Sequence, residues 1–345
     1  MPDRPGVTAV MLAWRDEPVL VEAVTSVLDS EGVEVDVVLV DNGCTSDAVE
    51  RLAPLPGVTV VTPGENLGFA GGCNLGARHA RGEVLAFVNG DAVVRPGALR
   101  YLVDALTNGA APGEGEVAMA TASVRLYDEP ATVNSVGNPV HFTGLSWAGG
   151  LGEPASAHDR PREVASASGA ATVIARERFR ALGGFCEPMF AYCEDTELSL
   201  RCWQRGWRVV YEPRAVVLHR YEFSRNPQKF YLLERNRLLL VLTLYGPGML
   251  LAVAAPLLAL ELATLALALR DGWGRQKLAG WWWLLRHRRL LRERRRLVRG
   301  QRVVPDATWS RVLTGDLDLA VPGLTVPGPA RRLSRTYWAL ARRLA

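Results

Sequence analysis

The chain has few cysteines for its length, and their spacing does not pair them. Five cysteines are spread over 345 residues, an odd number with no C-x-x-C spacing. This pattern argues against a disulfide framework and against a zinc site built from thiolates. The scarcity of cysteine fits a protein that stays in a reducing compartment.

The N-terminus lacks the long apolar core of a secretory signal peptide. Its only apolar stretch, Val7 to Trp14, is eight residues long and ends at Arg15. A signal-peptide core followed by a cleavage site needs a longer stretch. We therefore expect the main body of the chain to stay in the cytoplasm. The sequence also lacks internal repeats.

Charges of the two signs are unevenly divided along the chain, although the formal net charge is only +4. From Arg270 to the end there are 18 Lys and Arg against 5 Asp and Glu. The first 269 residues carry 22 against 31. An acidic N-terminal part and a strongly basic C-terminal part indicate two regions with different functions.

Apolar runs of strand length alternate with helical segments through the first ninety residues. Strands are predicted over 7–14, 33–40, 58–61 and 83–88, helices over 18–30 and 46–52, and a Gly-rich loop over 64–72 that leads into a helix through Ala80. This alternation predicts an α/β fold with a Rossmann-like, mostly parallel sheet and helices on both faces. In such sheets ligands bind outside the carboxyl ends of the strands.

The second half of the chain has weaker signals. Residues 110–159 are rich in Gly, Pro and Ser, and we predict only short strands and loops there. A strand over 168–175, a helix over 194–205 and a strand over 208–211 follow.

Two of the predicted strands end in polar residues that suit a ligand. Asp41-Asn42-Gly43 follows the second strand, and a carboxylate there can accept hydrogen bonds from a ribose or a base edge. Asn89-Gly90-Asp91 follows the fourth strand, and oxygen ligands two positions apart suit a hard divalent cation that also holds phosphate oxygens. Each tripeptide is equally consistent with a plain turn.

The glycine-rich stretch from Asn66 to Asn74, NLGFAGGCN, precedes a helix. Its glycines would let backbone N–H groups approach a ligand where a helix begins, a position that favours anions. The pattern is not G-x-G-x-x-G, so a dinucleotide site is not indicated. A flexible loop is the alternative interpretation.

Three carboxylates, Glu194, Asp195 and Glu197, lie within four positions and should raise each other's pKa. One interpretation is a solvated helix N-terminus, where the helix dipole tolerates them. The other is a general base that takes the proton of a hydroxyl as a bond forms. His219, after an apolar strand, is either a metal or phosphate ligand or a structural histidine.

Three ordered stretches resemble the family 2 glycosyltransferases of GT-A fold, in particular the bacterial rhamnosyltransferase-like members. They are VLVDNGCTSD, NLGFAGGCNLGARHARGEVLAFVNGD, and the segment that runs from SGAATVIARERF to VVLHRYEFS. The resemblance covers roughly residues 7–240.

The resemblance implies an inverting, metal-dependent transfer from a nucleotide-diphospho-sugar donor. Asp91 would be the carboxylate of the family's D-x-D-like motif, binding Mg²⁺ or Mn²⁺, with Asn89 in the motif's first place. Asp195 of the Glu194-Asp195 pair matches the catalytic base, and His219 matches a histidine near the diphosphate and the metal. The residues we predict to bind the donor are Asp41, Asn42, Asn66, Gly68, Asn74 and Asn89.

A long apolar run, 248–269, contains Glu261 as its only charge and is long enough to cross a bilayer once. A simple crossing would keep the arginine-rich stretch 286–302 in the cytoplasm and place the catalytic domain outside, away from nucleotide sugars. Helices that lie in the interface or form a re-entrant hairpin avoid this conflict, with Trp281–Trp283 at headgroup level. A buried packing helix is the alternative. Nucleic acid is not an expected partner, because no aromatic platform or groove-reading motif accompanies the arginines.

These observations predict a catalytic GT-A domain over 1–237, an apolar and basic membrane-associating region over 238–302, and a tail over 303–345 that ends in an amphipathic helix. The predicted enzyme moves a sugar, with rhamnose as a candidate, to a glycan or lipid-linked acceptor in envelope polysaccharide synthesis. We expect it in the cytoplasm, peripheral or monotopic on the inner face of the membrane.

Two other functions are weighed against this one. The first is a catalytically inactive transferase-like module that recruits partners to the membrane, which need not keep both Asp91 and Asp195. The second is a nucleotide-sugar hydrolase or nucleotidyltransferase, against which the match of Glu194-Asp195 to an acceptor-activating base argues.

Overall fold

A ten-stranded sheet organises the part of the chain that the computed structural model describes, residues 5–108, 115–220, 228–317 and 326–343. In chain order the strands are β1 (Val7–Arg15), β2 (Val35–Cys44), β3 (Val58–Val61), β4 (Val84–Val88), β5 (Ala92–Val94), β6 (Val117–Leu126), β7 (Val133–Ser135), β8 (Arg162–Glu163), β9 (Ala171–Ala175) and β10 (Arg208–His219). The helices are α1 (Leu20–Leu28), α2 (Ala48–Leu52), α3 (Gly68–His79), α4 (Ala98–Asn108), α5 (Arg176–Leu182), α6 (Glu194–Gln204), α7 (Lys229–Leu244), α8 (Pro247–Arg270), α9 (Gly274–Arg286), α10 (Arg288–Gln301), α11 (Asp306–Trp309) and α12 (Gly328–Ala341). The parts of the predicted regions at 110–114, 221–224, 318–325 and the chain ends lie outside the described residues.

The first half of the sheet is parallel. Strands β3, β2, β1 and β4 lie side by side in that order, and every pair among these neighbours is parallel. Runs of valine and leucine buried on both faces are typical of such strands. The predicted α/β fold is confirmed in this half.

The second half of the sheet is mixed. Strand β9 lies antiparallel between β4 and β6, and β10 pairs parallel to β6 and antiparallel to β5. The prediction of only short strands and loops over 110–159 was wrong for β6, a ten-residue strand at the sheet's interior. Its sequence, VAMATASVRL, is rich in small residues with little intrinsic strand preference, so burial between two neighbours decides its conformation.

Helices cover both faces of the sheet, as the alternation in β4 shows. Leu85 and Phe87 belong to a core shared with α3, α5 and α6, whereas Ala86 and Val88 belong to a core shared with α1 and α4. Successive side chains of a strand point to opposite faces, so one strand contributes to both cores.

Three predicted boundaries are shifted by tertiary contacts. Strand β2 continues to Cys44, so Asp41-Asn42-Gly43 lies within the strand rather than in a turn after it. Helix α3 already begins at Gly68, so part of the predicted Gly-rich loop is helical. The apolar stretches on either side of Glu212 form one strand, β10, with His219 as its last residue.

The C-terminal helices begin with α7, which is continuous across the predicted domain boundary at 237/238. The division of the chain into domains therefore stays a prediction. Helix α8 follows directly after Gly246, and α12 occupies the position of the predicted terminal helix.

Glu261, the only charge in the apolar run, faces the protein rather than its surroundings. Its carboxylate contacts Arg237 of α7, lies 3.0 Å from Lys277 Nζ of α9, and accepts a 2.6 Å hydrogen bond from Trp281 Nε1. A buried carboxylate is tolerated when it is paired and hydrogen-bonded in this way. One face of α8 is therefore a packing face.

Candidate active site

Asp91 and His219, 128 positions apart in sequence, meet at one end of the sheet. Asp91 lies in the turn between β4 and β5, and His219 ends β10, where it pairs with Ala92 of β5. Asp91 Oδ1 is 3.1 Å from His219 Nε2, and Asn89 Nδ2 is 3.4 Å from the same nitrogen. The structure thus brings together the two residues predicted to bind a metal and the first residue of the predicted motif.

The tautomer of His219 follows from a residue that sequence reasoning missed. Nδ1 lies 2.9 Å from the amide oxygen of Asn134 in β7. That oxygen can only accept, so Nδ1 carries a proton, and Nε2 is the ring nitrogen that faces the Asp91 carboxylate. Nothing in the sequence around Asn134 signals this role.

The pair of Asp91 and His219 is suited to a divalent cation. A carboxylate oxygen and an imidazole nitrogen 3.1 Å apart are close enough to bind one cation together, and a hydrogen-bonded Nδ1 is the usual support of a metal-binding histidine. Within the described ranges, no group of three or more His, Cys, Asp or Glu is placed to hold a metal. This donor set fits Mg²⁺ or Mn²⁺ shared with phosphate oxygens and water rather than a closed structural site.

Asp195 lies at the N-terminus of α6, close to the same end of the sheet. Its Oδ2 accepts a 2.9 Å hydrogen bond from the backbone N–H of Gly169, and its Oδ1 accepts one of 2.6 Å from Thr196. Ala170, the residue after Gly169, accepts a 3.0 Å hydrogen bond at its backbone carbonyl from the N–H of Asn89. The segment before β9 therefore connects the predicted base with the predicted metal site.

The two adjacent carboxyl groups have different environments. Burial raises the pKa of Asp195 above its usual range, and the hydrogen bonds from Gly169 and Thr196 oppose this shift by favouring the ionised form. Burial, and then the charge of Asp195, raise the pKa of Glu194 well above its usual range. Glu194 Oε2 is buried and has no hydrogen-bond partner. Asp195 is therefore the better candidate for an ionised base.

The third carboxylate of the cluster, Glu197, belongs to the core. It is fully buried and lies 2.8 Å from Arg201 Nε and 2.5 Å from an Arg294 guanidinium nitrogen of α10. Burial alone would raise the pKa of Glu197, but the two arginines outweigh it and lower that pKa. The carboxylates that are neighbours in sequence thus have separate roles.

Replacing Arg294 by methionine should lower the free energy of unfolding by about 3 kcal/mol, because it leaves Glu197 buried with a single charged partner. Urea denaturation monitored by circular dichroism measures this change. Arg289→Met is the matched control on the same helix, since its partner Glu293 is solvent-exposed and such pairs contribute little. Equal losses in the two variants would contradict the prediction.

Asp41 and Asn42, both predicted to bind the donor, are placed differently. Asp41 is partly exposed, and its Oδ1 accepts hydrogen bonds of 3.3 and 3.0 Å from the N–H groups of Gly43 and Cys44. Asn42 is buried, accepts a 2.8 Å hydrogen bond from Leu67 and donates one of 3.1 Å to Gly68. Asn42 thus joins β2 to the glycine-rich segment.

The glycine-rich segment is fixed by its own contacts. Asn66 Oδ1 accepts a 2.8 Å hydrogen bond from Gly68, whose φ is +69°. A Cβ at Gly68 would lie 2.4 Å from the carbonyl oxygen of Phe190, so this position requires glycine. The segment is therefore a rigid turn into α3 rather than a flexible loop.

Asn74, which is also predicted to bind the donor, is buried on α3. Its Nδ2 donates 3.0 Å hydrogen bonds to the Phe185 carbonyl and to Glu187 Oε1, and its Oδ1 accepts one of 2.9 Å from Phe185. These bonds hold the segment that leads to α6. A role for Asn74 in donor binding stays a prediction.

Two family models match the chain. The one described as "Glycosyl transferase family 2" matches residues 8–113, and the one described as "Glycosyl transferase family group 2" matches residues 84–293. The second model covers more than half of the chain and includes both Asp91 and Asp195.

Curated proteins similar to the chain come from bacteria. The chain is 38% identical over 103 residues to the succinoglycan biosynthesis protein ExoO of Rhizobium meliloti, a match to 29% of each protein. It is 30% identical over 206 residues to the N-acetylglucosaminyl-diphospho-decaprenol L-rhamnosyltransferase of Mycobacterium tuberculosis, a match to 54% of this chain and 66% of that protein. The chain therefore spans less than two thirds of the length of either relative.

Two solved structures share the fold. A crystal structure of GalNAc-T7 with UDP, GalNAc and Mn²⁺ superposes with a TM-score of 0.56 at 18% identity, covering 69% of this chain and 48% of that one. The mannosyltransferase PcManGT of Pyrobaculum calidifontis, in complex with GDP-Man and Mn²⁺, gives a TM-score of 0.50 at 19% identity and covers 81% and 86%. At these identities the likeness concerns the fold alone.

Proposed function

The chain is a family 2 glycosyltransferase, and we propose that it moves a sugar from a nucleoside-diphospho-sugar to an acceptor hydroxyl with inversion. The observation that carries this proposal is the meeting of three groups at one end of the sheet. The Asp91–His219 pair and the Asp195 carboxylate are joined there through the hydrogen bond between Asn89 and Ala170.

Asp91 and His219 would hold a divalent cation against the donor diphosphate. Asn134 holds the imidazole of His219 through Nδ1, so Nε2 is aimed at the Asp91 carboxylate and both ligands are oriented before the donor arrives. The cation, when bound, neutralises the charge that develops on the departing diphosphate. Mg²⁺ and Mn²⁺ are both candidates. Asp41 in β2 remains our candidate for the nucleoside side of the donor.

Asp195 would act on the acceptor. It takes the proton of the acceptor hydroxyl while the oxygen bonds to the anomeric carbon and the bond from that carbon to the diphosphate breaks. The N–H groups of Gly169 and Thr196 hold the carboxylate in place for this step. Burial raises the pKa of Glu194 well above its usual range, which disfavours a second negative charge beside the base.

The sugar and the acceptor are proposed from the similarity to the mycobacterial protein, whose name specifies an L-rhamnosyl group and an N-acetylglucosaminyl-diphospho-decaprenol. We propose a rhamnosyl donor and a lipid-linked or polysaccharide acceptor, used in building envelope glycans. The name of the Rhizobium relative, a succinoglycan biosynthesis protein, agrees with this class of product.

A donor screen tests the proposed function. Purified full-length protein is incubated with Mg²⁺ or Mn²⁺, a panel of nucleotide sugars and a polyprenyl-diphosphate-linked N-acetylglucosamine, and release of nucleoside diphosphate is measured. We expect turnover with one donor, abolished by EDTA. If no donor is turned over and none raises the melting temperature, the chain is an inactive binding module.

We also propose that the C-terminal helices bind the inner face of the cytoplasmic membrane. Within the described residues, α8 is the one helix long and apolar enough to cross a bilayer, and 11% of its most apolar window is buried in the protein. One face of α8, opposite the buried Met249 and Val253, exposes leucines at 251, 258, 262 and 269. Seven arginines of α9 and α10 are exposed beside this region, at 275, 286, 288, 289, 292, 296 and 299. Exposed apolar side chains followed by exposed arginines are typical of helices that lie in an anionic interface.

The double substitution Leu258→Glu and Leu262→Glu should weaken binding to vesicles that contain anionic lipid by about tenfold or more, because two apolar contacts are replaced by charges that the lipid repels. Cosedimentation with phosphatidylglycerol vesicles measures the binding. The control is Val303→Glu, which places one charge at an exposed position outside α8 to α10. Unchanged binding of the double variant would exclude this face as the membrane contact.

A further inference from the structure

The residues directly before the predicted base have an unusual backbone. Phe190, Tyr192 and Cys193 have φ values of +64°, +70° and +66°, in the left-handed region that favours glycine. Residues with a Cβ keep this conformation only where surrounding contacts impose it. We call residues 189–193 the base-proximal segment, since Glu194 and Asp195 follow it at the start of α6.

The contacts that impose this conformation come from Asn236, a fully buried residue of α7. Its side-chain nitrogen donates toward three backbone carbonyl oxygens, those of Met189 at 2.8 Å, Ala191 at 2.8 Å and Tyr192 at 2.7 Å. The two N–H groups of one amide thus serve three of the five carbonyl groups of this partly buried segment. Such groups are costly to leave without a partner.

Arg235 orients Asn236 and holds the residues before the base-proximal segment. Its Nε donates a 2.9 Å hydrogen bond to Asn236 Oδ1, which directs the amide nitrogen toward the segment. Its guanidinium also donates to the carbonyls of Pro188 at 2.9 Å and Met189 at 2.8 Å. The Arg235-Asn236 pair therefore acts as one unit.

The base-proximal segment also contacts the glycine-rich turn predicted to lie at the donor. The Phe190 carbonyl accepts a 3.0 Å hydrogen bond from Ala70 and is the atom that a Cβ at Gly68 would strike. The segment is thus fixed on one side to α3 and on the other to α7, and Asp195 lies two residues after it. Its conformation determines where the base lies relative to the donor.

The side of α7 opposite Arg235 and Asn236 contacts helices α8 and α9. Glu234 and Arg237 flank the pair, and they contact each other at 2.9 Å. Arg237 contacts Glu261 of α8, and Glu234 contacts Lys277 of α9. Four consecutive residues therefore connect the base-proximal segment with the helices that we propose to bind the membrane.

We propose that Asn236, oriented by Arg235, is a positioning residue that sets the location of the Asp195 base relative to the bound donor. The inference rests on the proposed function. Asn236 acts through the backbone of the base-proximal segment and does not touch the reacting atoms. Without it, the segment can relax from its left-handed conformation and Asp195 moves, while the Asp91–His219 pair at the other side of the site is unchanged.

The test is Asn236→Ala, compared with Thr243→Ala on the same helix. Thr243 is equally buried, and its hydroxyl donates within α7 to the Leu239 carbonyl at 2.7 Å, away from the base-proximal segment. We expect Asn236→Ala to lower the kcat of transfer by about 100-fold, because small misplacements of a reacting group have effects of this size. The KM for the donor should change by less than about threefold, and the ratio of donor hydrolysis to transfer should rise.

The control and a second measurement separate positioning from a general loss of structure. Thr243→Ala should keep kcat within about twofold of the wild type. Hydrogen exchange of the amides in residues 189–195 should become faster in Asn236→Ala, with that of α1, on the other face of the sheet, unchanged. The proposal is overturned if the donor KM rises as much as kcat falls, if both variants lose the same activity, or if exchange in the segment is unaltered. If the wild type turned over none of the donors, that result would instead count against the proposed function. The hydrogen-exchange measurement would still decide whether Asn236 holds the base-proximal segment in place.

Discussion

Asp91→Asn should reduce sugar transfer by about 10³-fold and should remove its dependence on added Mn²⁺ or Mg²⁺. The substitution keeps the shape of the side chain but removes the negative charge that faces His219 Nε2 at 3.1 Å. A neutral amide is a poor ligand for a hard divalent cation, so the diphosphate loses its counter-charge. Release of nucleoside diphosphate, measured across a metal titration, checks the result.

The control for this experiment is Asp47→Asn, which removes one negative charge from an exposed position on the surface. Its activity should equal that of the wild type, because exposed charges at a distance are screened by salt. If Asp91→Asn retains full metal-dependent turnover, the cation is held elsewhere and the assignment of Asp91 fails.

Asp195→Asn should lower transfer by about 10² to 10⁴-fold, the usual contribution of a positioned general base. Donor binding should be nearly unchanged, because the Asp91–His219 pair is intact. Calorimetric titration with the donor and a rate assay on the same preparation separate the two effects. Asp159→Asn, at an exposed position, is the matched control. A loss of donor affinity equal to the loss of rate would show that Asp195 serves binding rather than proton transfer.

The pH dependence of the wild type follows from the same residue. The base must be ionised, and burial raises the pKa of Asp195 above the usual aspartate range. Activity is therefore present above this raised pKa and is lost as the pH falls through it. A pH profile of kcat/KM should show an acid limb above the range of an exposed aspartate. An acid limb within that ordinary range would contradict the assignment.

Local patterns were sufficient to predict the first half of the sheet. Strands β1, β2 and β4 contain buried runs rich in valine, alanine and leucine, β3 is a short run of valine and threonine, and the helices between them have their own period, so each element carries its signal within a short stretch of sequence. Strand β6 carries no such signal, since alanine, serine and methionine make up half of it. Its conformation depends on pairing with β9 and β10, which are distant in sequence.

The candidate site shows the same division. The sequence alone marked Asp91 and the Glu194-Asp195 pair as polar residues after apolar runs or at a helix start. It could not indicate that Asn134 fixes the tautomer of His219, because Asn134 lies 85 positions from His219 in the chain. The amide of Asn236 was missed for the same reason.

The sequence by itself determined the class of the protein: alternating strands and helices, polar motifs at strand ends, an acidic front and a basic, apolar back. These properties are local, because periodicity and composition are read within short windows. Only the tertiary structure decided which of three adjacent carboxylates is paired with arginines, which is buried without a partner and which accepts hydrogen bonds from backbone N–H groups. It also showed that Glu261, a lone charge in an apolar run, is neutralised by Arg237 and Lys277. Charge state and hydrogen bonding depend on distances between residues far apart in the chain, and folding alone sets those distances.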